Sequence, residues 1–131
     1  MANKPIQRGG ATPVNLATAQ AANAVSTDTA ILRSNDRQFQ GSLLRIIAAT
    51  GTACDYLLEG SGDASVWYPL PWQNVISGSS AALTLNSGLF HVAAAGTFWL
   101  LIPVDIPWAA FRVTSSNQVG SMVNTYDLWS Y

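Results

Sequence analysis

Charge is the scarcest property of this sequence: 10% of its 131 residues are charged, against about 25% in an ordinary globular domain. A lone soluble monomer keeps itself apart from its neighbours with charge. A chain this neutral suits a surface largely covered by partners, or a life outside the cell. The six basic residues are scattered, four of them before Arg45, and the net charge is −1. Without a basic stripe to neutralise phosphates, no nucleic-acid partner is expected. One cysteine, Cys54, cannot close an internal disulfide, so no oxidising compartment is implied. Nowhere do 18 apolar residues run together, and the start MANKPIQRGG lacks the apolar stretch of a secretory leader. Neither a membrane span nor export by a visible signal is expected.

Catalytic and metal-binding residues are equally sparse. His91 is the single histidine, and no GxSxG or related nucleophile motif accompanies it. It reads as a strand histidine facing solvent or a subunit contact, where it could act as a proton switch. One Cys and one His cannot supply the four ligands of a structural zinc site. Asp55, Glu59 and Asp63 form the one acidic group, but they do not fit a calcium loop. Asp55 and Glu59 would share a strand face, as paired glycosidase carboxylates do, yet nothing separates them from surface acids. GSGD at Gly60–Asp63 lacks the Lys and Ser/Thr of a phosphate loop. Cys54, with no basic group near it in sequence, reads as an inert core thiol. No enzyme activity and no cofactor are expected.

What the chain does have is short apolar runs separated by turn residues. Thr29–Arg33, Ser42–Ala48, Cys54–Leu58, Val66–Tyr68, Trp72–Ile76, Ala81–Leu85, Leu89–Val92, Thr97–Ile102, Ala109–Thr114 and Ser121–Trp129 read as strands or strand fragments. They recur every 8–14 residues, with Gly51, GSGD, Pro69–Pro71, SGSS, Asn86–Gly88 and Asn117–Gly120 between them. That spacing predicts an all-β fold, an antiparallel β-sandwich of about eight strands and of jelly-roll or immunoglobulin size. Two hairpins are expected, one across Asn86–Gly88 and one across Pro103–Pro107. The second is the more unusual. Thr97–Ile102 is apolar on both faces, the pattern of a strand covered from both sides, so either the sandwich or a neighbouring subunit must cover it.

Residues 1–27 stand apart from the β-sandwich domain at 28–131. They are rich in Ala, Thr, Asn and Gln, and their few apolar residues are small or widely spaced. Three readings remain open: a disordered tail, an arm that orders on a neighbouring subunit, or a short helix over Leu16–Val25.

The compositional excess is tryptophan, five in all. Trp67, Tyr68 and Trp72 bracket one proline bend, Trp99 and Trp108 bracket the other, and Trp129 with Tyr131 ends the chain. Core packing, subunit-interface anchoring and a sugar-stacking platform all use such residues. The interface reading singles out Trp67, Tyr68, Trp72, Trp99, Trp108 and Arg112. If Arg112 is buried it needs a partner, and Asp105 is the nearest acid in sequence.

Gly96-Thr97-Phe98, Pro103, Ile106-Pro107-Trp108, Phe111-Arg112-Val113-Thr114-Ser115 and Gly120-Ser121-Met122-Val123 give the stretch 95–126 a particular style. It resembles small virion proteins of tailed bacteriophages. The resemblance implies the last strands of a β-sandwich used in capsid decoration or in head and tail assembly. It also implies a virion location after assembly in the host cytoplasm. Partners would be the major capsid protein or other virion proteins and further copies of the chain, with a trimer as the expected oligomer. A head–tail connector or tail component, and a carbohydrate-binding module on the same sandwich, are the alternatives. A row of exposed Trp67, Trp72 and Trp108 would favour the sugar reading.

Overall fold

The computed structural model describes residues 13–26, 41–75, 85–103 and 110–130. All regular structure within them is strand and all pairing is antiparallel. The strands are β1 (Val14–Ala21), β2 (Gly41–Ser61), β3 (Tyr68–Pro69), β4 (Trp72–Val75), β5 (Leu85–Asn86), β6 (Phe90–Val92), β7 (Gly96–Pro103) and β8 (Ala110–Ser130). They form one sheet in the order β1-β8-β2-β7-β4-β5, with β3 and β6 also paired to β2. The all-β antiparallel class expected from the strand spacing is the class observed.

The strand lengths are not those expected. Ser42–Ala48 and Cys54–Leu58 belong to a single 21-residue strand, β2. Ala109–Thr114 and Ser121–Trp129 likewise merge into the 21-residue β8, although Ala109 itself lies outside the described residues. Gly51 and Gly120 sit where these two strands cross. A Cβ on Gly51 would lie 2.4 Å from Met122 Cβ and 2.8 Å from its Cα, while Gly120 has φ +77°. These glycines permit close approach and a bend without ending the strands. The β2–β8 register shifts three times between Ala49 and Asp55, and Thr50 and Asn117 take left-handed backbone angles of 65° and 51°. This irregularity changes which side chains of β8 face inward. Phe111, Val113 and Ser115 are buried before it, and Met122, Asn124, Tyr126 and Leu128 after it. Strict alternation would have turned the second set outward.

The bend folds the long ladder onto itself. Tyr56 lies opposite Ser115, and Tyr126 lies opposite Ile46. The ten residue steps along β2 from 46 to 56 would separate them by roughly 33 Å on a straight strand. Their ring centroids are 6.1 Å apart, edge to face. Tyr56 Oη also donates a 2.6 Å hydrogen bond to Asn124 Oδ1. The two halves of the sheet therefore face one another as the layers of a sandwich do, around one core that includes Leu16, Leu44, Ile46, Leu58, Leu100 and Phe111.

Among the described residues the hairpin expected across Pro103–Pro107 does not form, while the first strand of the one expected across Asn86–Gly88 lies mostly outside them. β7 and the start of β8 both flank β2, β7 on residues 41–48 and β8 on residues 55–61. β5 pairs with β4, and β6 pairs with β2. For β7 and β8 the bend is again the reason, because the long β2 offers each a partner far away in sequence, whereas β3 and β5 pair with the strand just before them. The helix allowed over Leu16–Val25 is absent too. Val14–Ala21 is strand β1 on the edge of β8, and Leu16 is fully buried. Eight of the 27 residues set apart as an arm, Val14–Ala21, thus lie within the sheet. The expected strand Thr29–Arg33, most of Ala81–Leu85, and Asp105 and Trp108 lie outside the described residues.

Candidate functional site

Folding the sheet buries one face of each half and leaves two outward faces of different chemistry. On the half built from Gly41–Ala49, the outward residues of β2 are Leu43, Arg45 and Ile47. β7 adds Trp99 and Leu101 beside them, and β8 adds Val123, Asp127 and Trp129. The apolar members are half-buried, and Val75 of β4, opposite Trp99, is 38% exposed. The apolar run of β7 is therefore accounted for in two ways. Leu100 and Ile102 are fully buried in the core, while Trp99 and Leu101 look outward.

Arg45 is the centre of this face. Its ladder neighbours are Trp99 on one side and Asp127 on the other. Nη2 donates to Asp127 Oδ2 at 2.7 Å. The guanidinium carbon lies 5.6 Å from the Trp99 ring centroid and 5.2 Å from that of Trp129, and the two rings are 5.4 Å apart. Arg45 Nε is buried with no hydrogen-bond partner among the described residues, so the electron-rich ring faces are the cation's remaining support. Asp127 is in turn fixed by Asn15 of β1, whose Nδ2 donates to Oδ1 at 3.0 Å. The result is a small aromatic platform whose only charges, among the described residues, neutralise each other. Such a face offers a partner apolar and aromatic area with no unpaired charge to desolvate.

The outward face of the other half is polar and cross-linked. Arg112 Nε donates to Glu59 Oε1 at 3.0 Å, Thr114 Oγ1 donates to the same oxygen, and the guanidinium stacks 4.2 Å from the centroid of Trp67. A partner of Arg112 is thus Glu59, directly opposite it in the ladder, while Asp105 lies outside the described residues. His91 is exposed, with Nδ1 2.6 Å from Asp55 Oδ1, and Asn117 Nδ2 donates to Asp55 Oδ2 at 3.0 Å. The Asn117 hydrogen bond, followed by that from His91, holds the Asp55 carboxyl below its ordinary range. Asp55 and Glu59 do share a face, but each is engaged by these partners. Asp63 closes its own turn, accepting the N–H groups of Ser65 and Val66. No cluster of three metal-ligating groups occurs among the described residues.

The expected interface residues separate accordingly. Trp99 is on the aromatic platform. Trp67 and Arg112 are stacked on the polar half, with Tyr68 52% exposed nearby in the chain. Trp72 is a core residue, packed edge to face on Phe90 with Nε1 bonded to the Gly88 carbonyl. It does not continue a surface row from Trp67, which removes one step of the proposed sugar platform. Arg45 and Asp127 were not singled out from sequence, and Trp129 was noted among the tryptophans but not among the interface residues. The alternation Leu43-Arg45-Ile47 marks an outward face, and Asp127 and Trp129 are likewise two apart; what sequence lacked was the register joining them.

Inside the core, Tyr56, Tyr126 and Cys54 are all fully buried. Burial pushes their pKa values up, so they remain neutral hydrogen-bonding and packing groups at ordinary pH.

No protein-family model matches the chain, and no curated protein matches it. Among solved structures, it is similar to the crystal structure of the SPBc2 prophage-derived protein YomS. The likeness has 15% identity and a TM-score of 0.43, and covers 92% of each chain. At that level it supports no inference about function.

Proposed function

We propose that this chain is a non-enzymatic structural protein of a tailed-bacteriophage particle, decorating and stabilising the capsid shell by adhesion. The observation that carries the reading is the neutral aromatic platform of Trp99, Trp129 and Arg45 on an outward sheet face. Its charges are compensated within the chain, as suits a surface that is to be dried by a partner. The virion-protein style of residues 95–126 and the low overall charge point the same way. The mode of action is multivalent: several weak, largely apolar contacts per subunit, repeated by further copies, raise avidity without any one contact being strong.

The test is binding of purified protein to undecorated capsids, read by co-sedimentation, together with imaging of the particle. Trp99→Ser with Trp129→Ser should weaken sedimentation by at least about 100-fold, the scale of two interface hot spots. Circular dichroism should still show a folded β protein. Capsid binding unchanged by the pair refutes the platform as the contact. Density at the portal or tail instead of the shell refutes decoration and supports a connector or tail role.

A further inference from the structure

We propose that the core holds one ordered water molecule, which accepts from Tyr126 Oη and Asn124 Nδ2 and donates to Ser115 Oγ, tying the two halves of β8 together from within. The inference does not depend on the phage reading.

Two fully buried polar atoms lead to it. Asn124 and Tyr126 are each 0% exposed, and neither Asn124 Nδ2 nor Tyr126 Oη has a hydrogen-bond partner among the described residues. Gln20 Oε1 and Arg45 Nε share that lack, but both belong to half-buried residues. Asn124 and Tyr126 stand two apart on one strand, so their side chains leave it on the same side. Both meet Tyr56 there. Its hydroxyl donates to Asn124 Oδ1 at 2.6 Å, and its ring packs edge to face on that of Tyr126, with centroids 6.1 Å apart. An amide or phenol donor sealed in a core without a partner has lost its hydration for no return. Native cores therefore satisfy such groups with protein or with water.

Ser115 completes the set. It lies on β8 before the irregularity, directly opposite Tyr56 in the ladder, and is buried. Its Oγ donates to Ala24 O and accepts the Ala24 N–H, both at 3.2 Å, which leaves one acceptor lone pair open. Burial raises the pKa of Tyr126, and the Ser115 hydroxyl, followed by the Asn124 amide, opposes the rise. Those two groups thus lie close to Tyr126 Oη, yet no direct hydrogen bond reaches it. Polar groups that approach without bonding are the arrangement a water bridges. Two donors and one acceptor complement one water, and about three hydrogen bonds is the usual number for a buried one. The Tyr56–Asn124 bond joins β2 of one half to β8 of the other. The water joins β8 to itself across the same bend.

The test uses the full chain. A high-resolution crystal structure should show a water within about 2.7–3.2 Å of both Asn124 Nδ2 and Tyr126 Oη. In solution, oxygen-17 magnetic relaxation dispersion counts long-lived internal waters. The double variant Tyr126→Phe/Ser115→Ala keeps the ring against Tyr56 but leaves Asn124 alone to hold the molecule, fewer than the two partners a buried water needs. Its count should fall by one from the parent, with circular dichroism still that of a folded β protein. A crystal structure with no water touching both atoms, or an unchanged count in the folded double variant, overturns the proposal. If the double variant does not fold, the crystal structure of the parent decides alone.

Discussion

Replacing Gly51 with alanine places one methyl group at the point on which the folded ladder depends. That methyl would sit 2.4 Å from Met122 Cβ, 2.8 Å from Met122 Cα and 2.9 Å from Met122 N. Two of the three atoms are backbone, so no rotamer change relieves the overlap, and β2 and β8 must separate. Overpacking of this kind costs about 1–3 kcal/mol. Separation also strains the hydrogen bonds from Thr50 Oγ1 to Ser121 O and from Thr52 Oγ1 to Val119 O, each with a net worth of about 1 kcal/mol. A loss of about 3–5 kcal/mol is expected, a large share of the 5–15 kcal/mol typical of a domain. Urea denaturation followed by tryptophan fluorescence measures it, with a thermal midpoint lowered by more than about 10 °C as a second readout. Gly62→Ala is the control, since its added methyl would meet nothing within 4 Å. If Gly51→Ala costs less than about 1 kcal/mol, or no more than the control, the two strands do not meet as described.

Tyr56→Phe leaves the buried Asn124 carbonyl oxygen without its donor and should destabilise by about 1–3 kcal/mol; a neutral result in urea would show that this bond does not join the two halves. Leu16→Ala should cost about 2–5 kcal/mol, because the residue is a fully buried part of the core; an unchanged denaturation midpoint would return β1 to the status of a loose arm. Asp55 has a depressed folded-state pKa, so its contribution is present above the ordinary carboxylate range and is lost as pH falls through the lower folded value. Asp55→Asn should therefore reduce stability at pH 6 and flatten its decline between pH 5 and pH 2 (roughly the range over which such carboxylates titrate), as read from urea midpoints. A variant with the same acid profile as the parent would show that the Asn117 and His91 contacts do not act on this carboxylate.

Some properties were fixed by local chemistry and could be read directly. Alternating apolar runs and turn residues set the all-β antiparallel class. The identity of Trp99 as an exceptional residue was legible because an apolar run of that length on both faces of a strand demands cover. The cover itself was decided by the tertiary fold. A glycine in a strand can mean a turn, a bulge or a close approach, and only the crossing at Met122 shows that Gly51 is the third. With the strands continuous through that crossing, β2 separates β7 from β8, and these two do not pair with each other. Arg112 meets Glu59 across the ladder, and Arg45 reaches the rings of both Trp99 and Trp129. Which residues share a face follows from a period of two within one strand, and the sequence contains it. Which strands lie side by side depends on burial summed over the whole chain, and that sum exists only once the long ladder has folded back on itself.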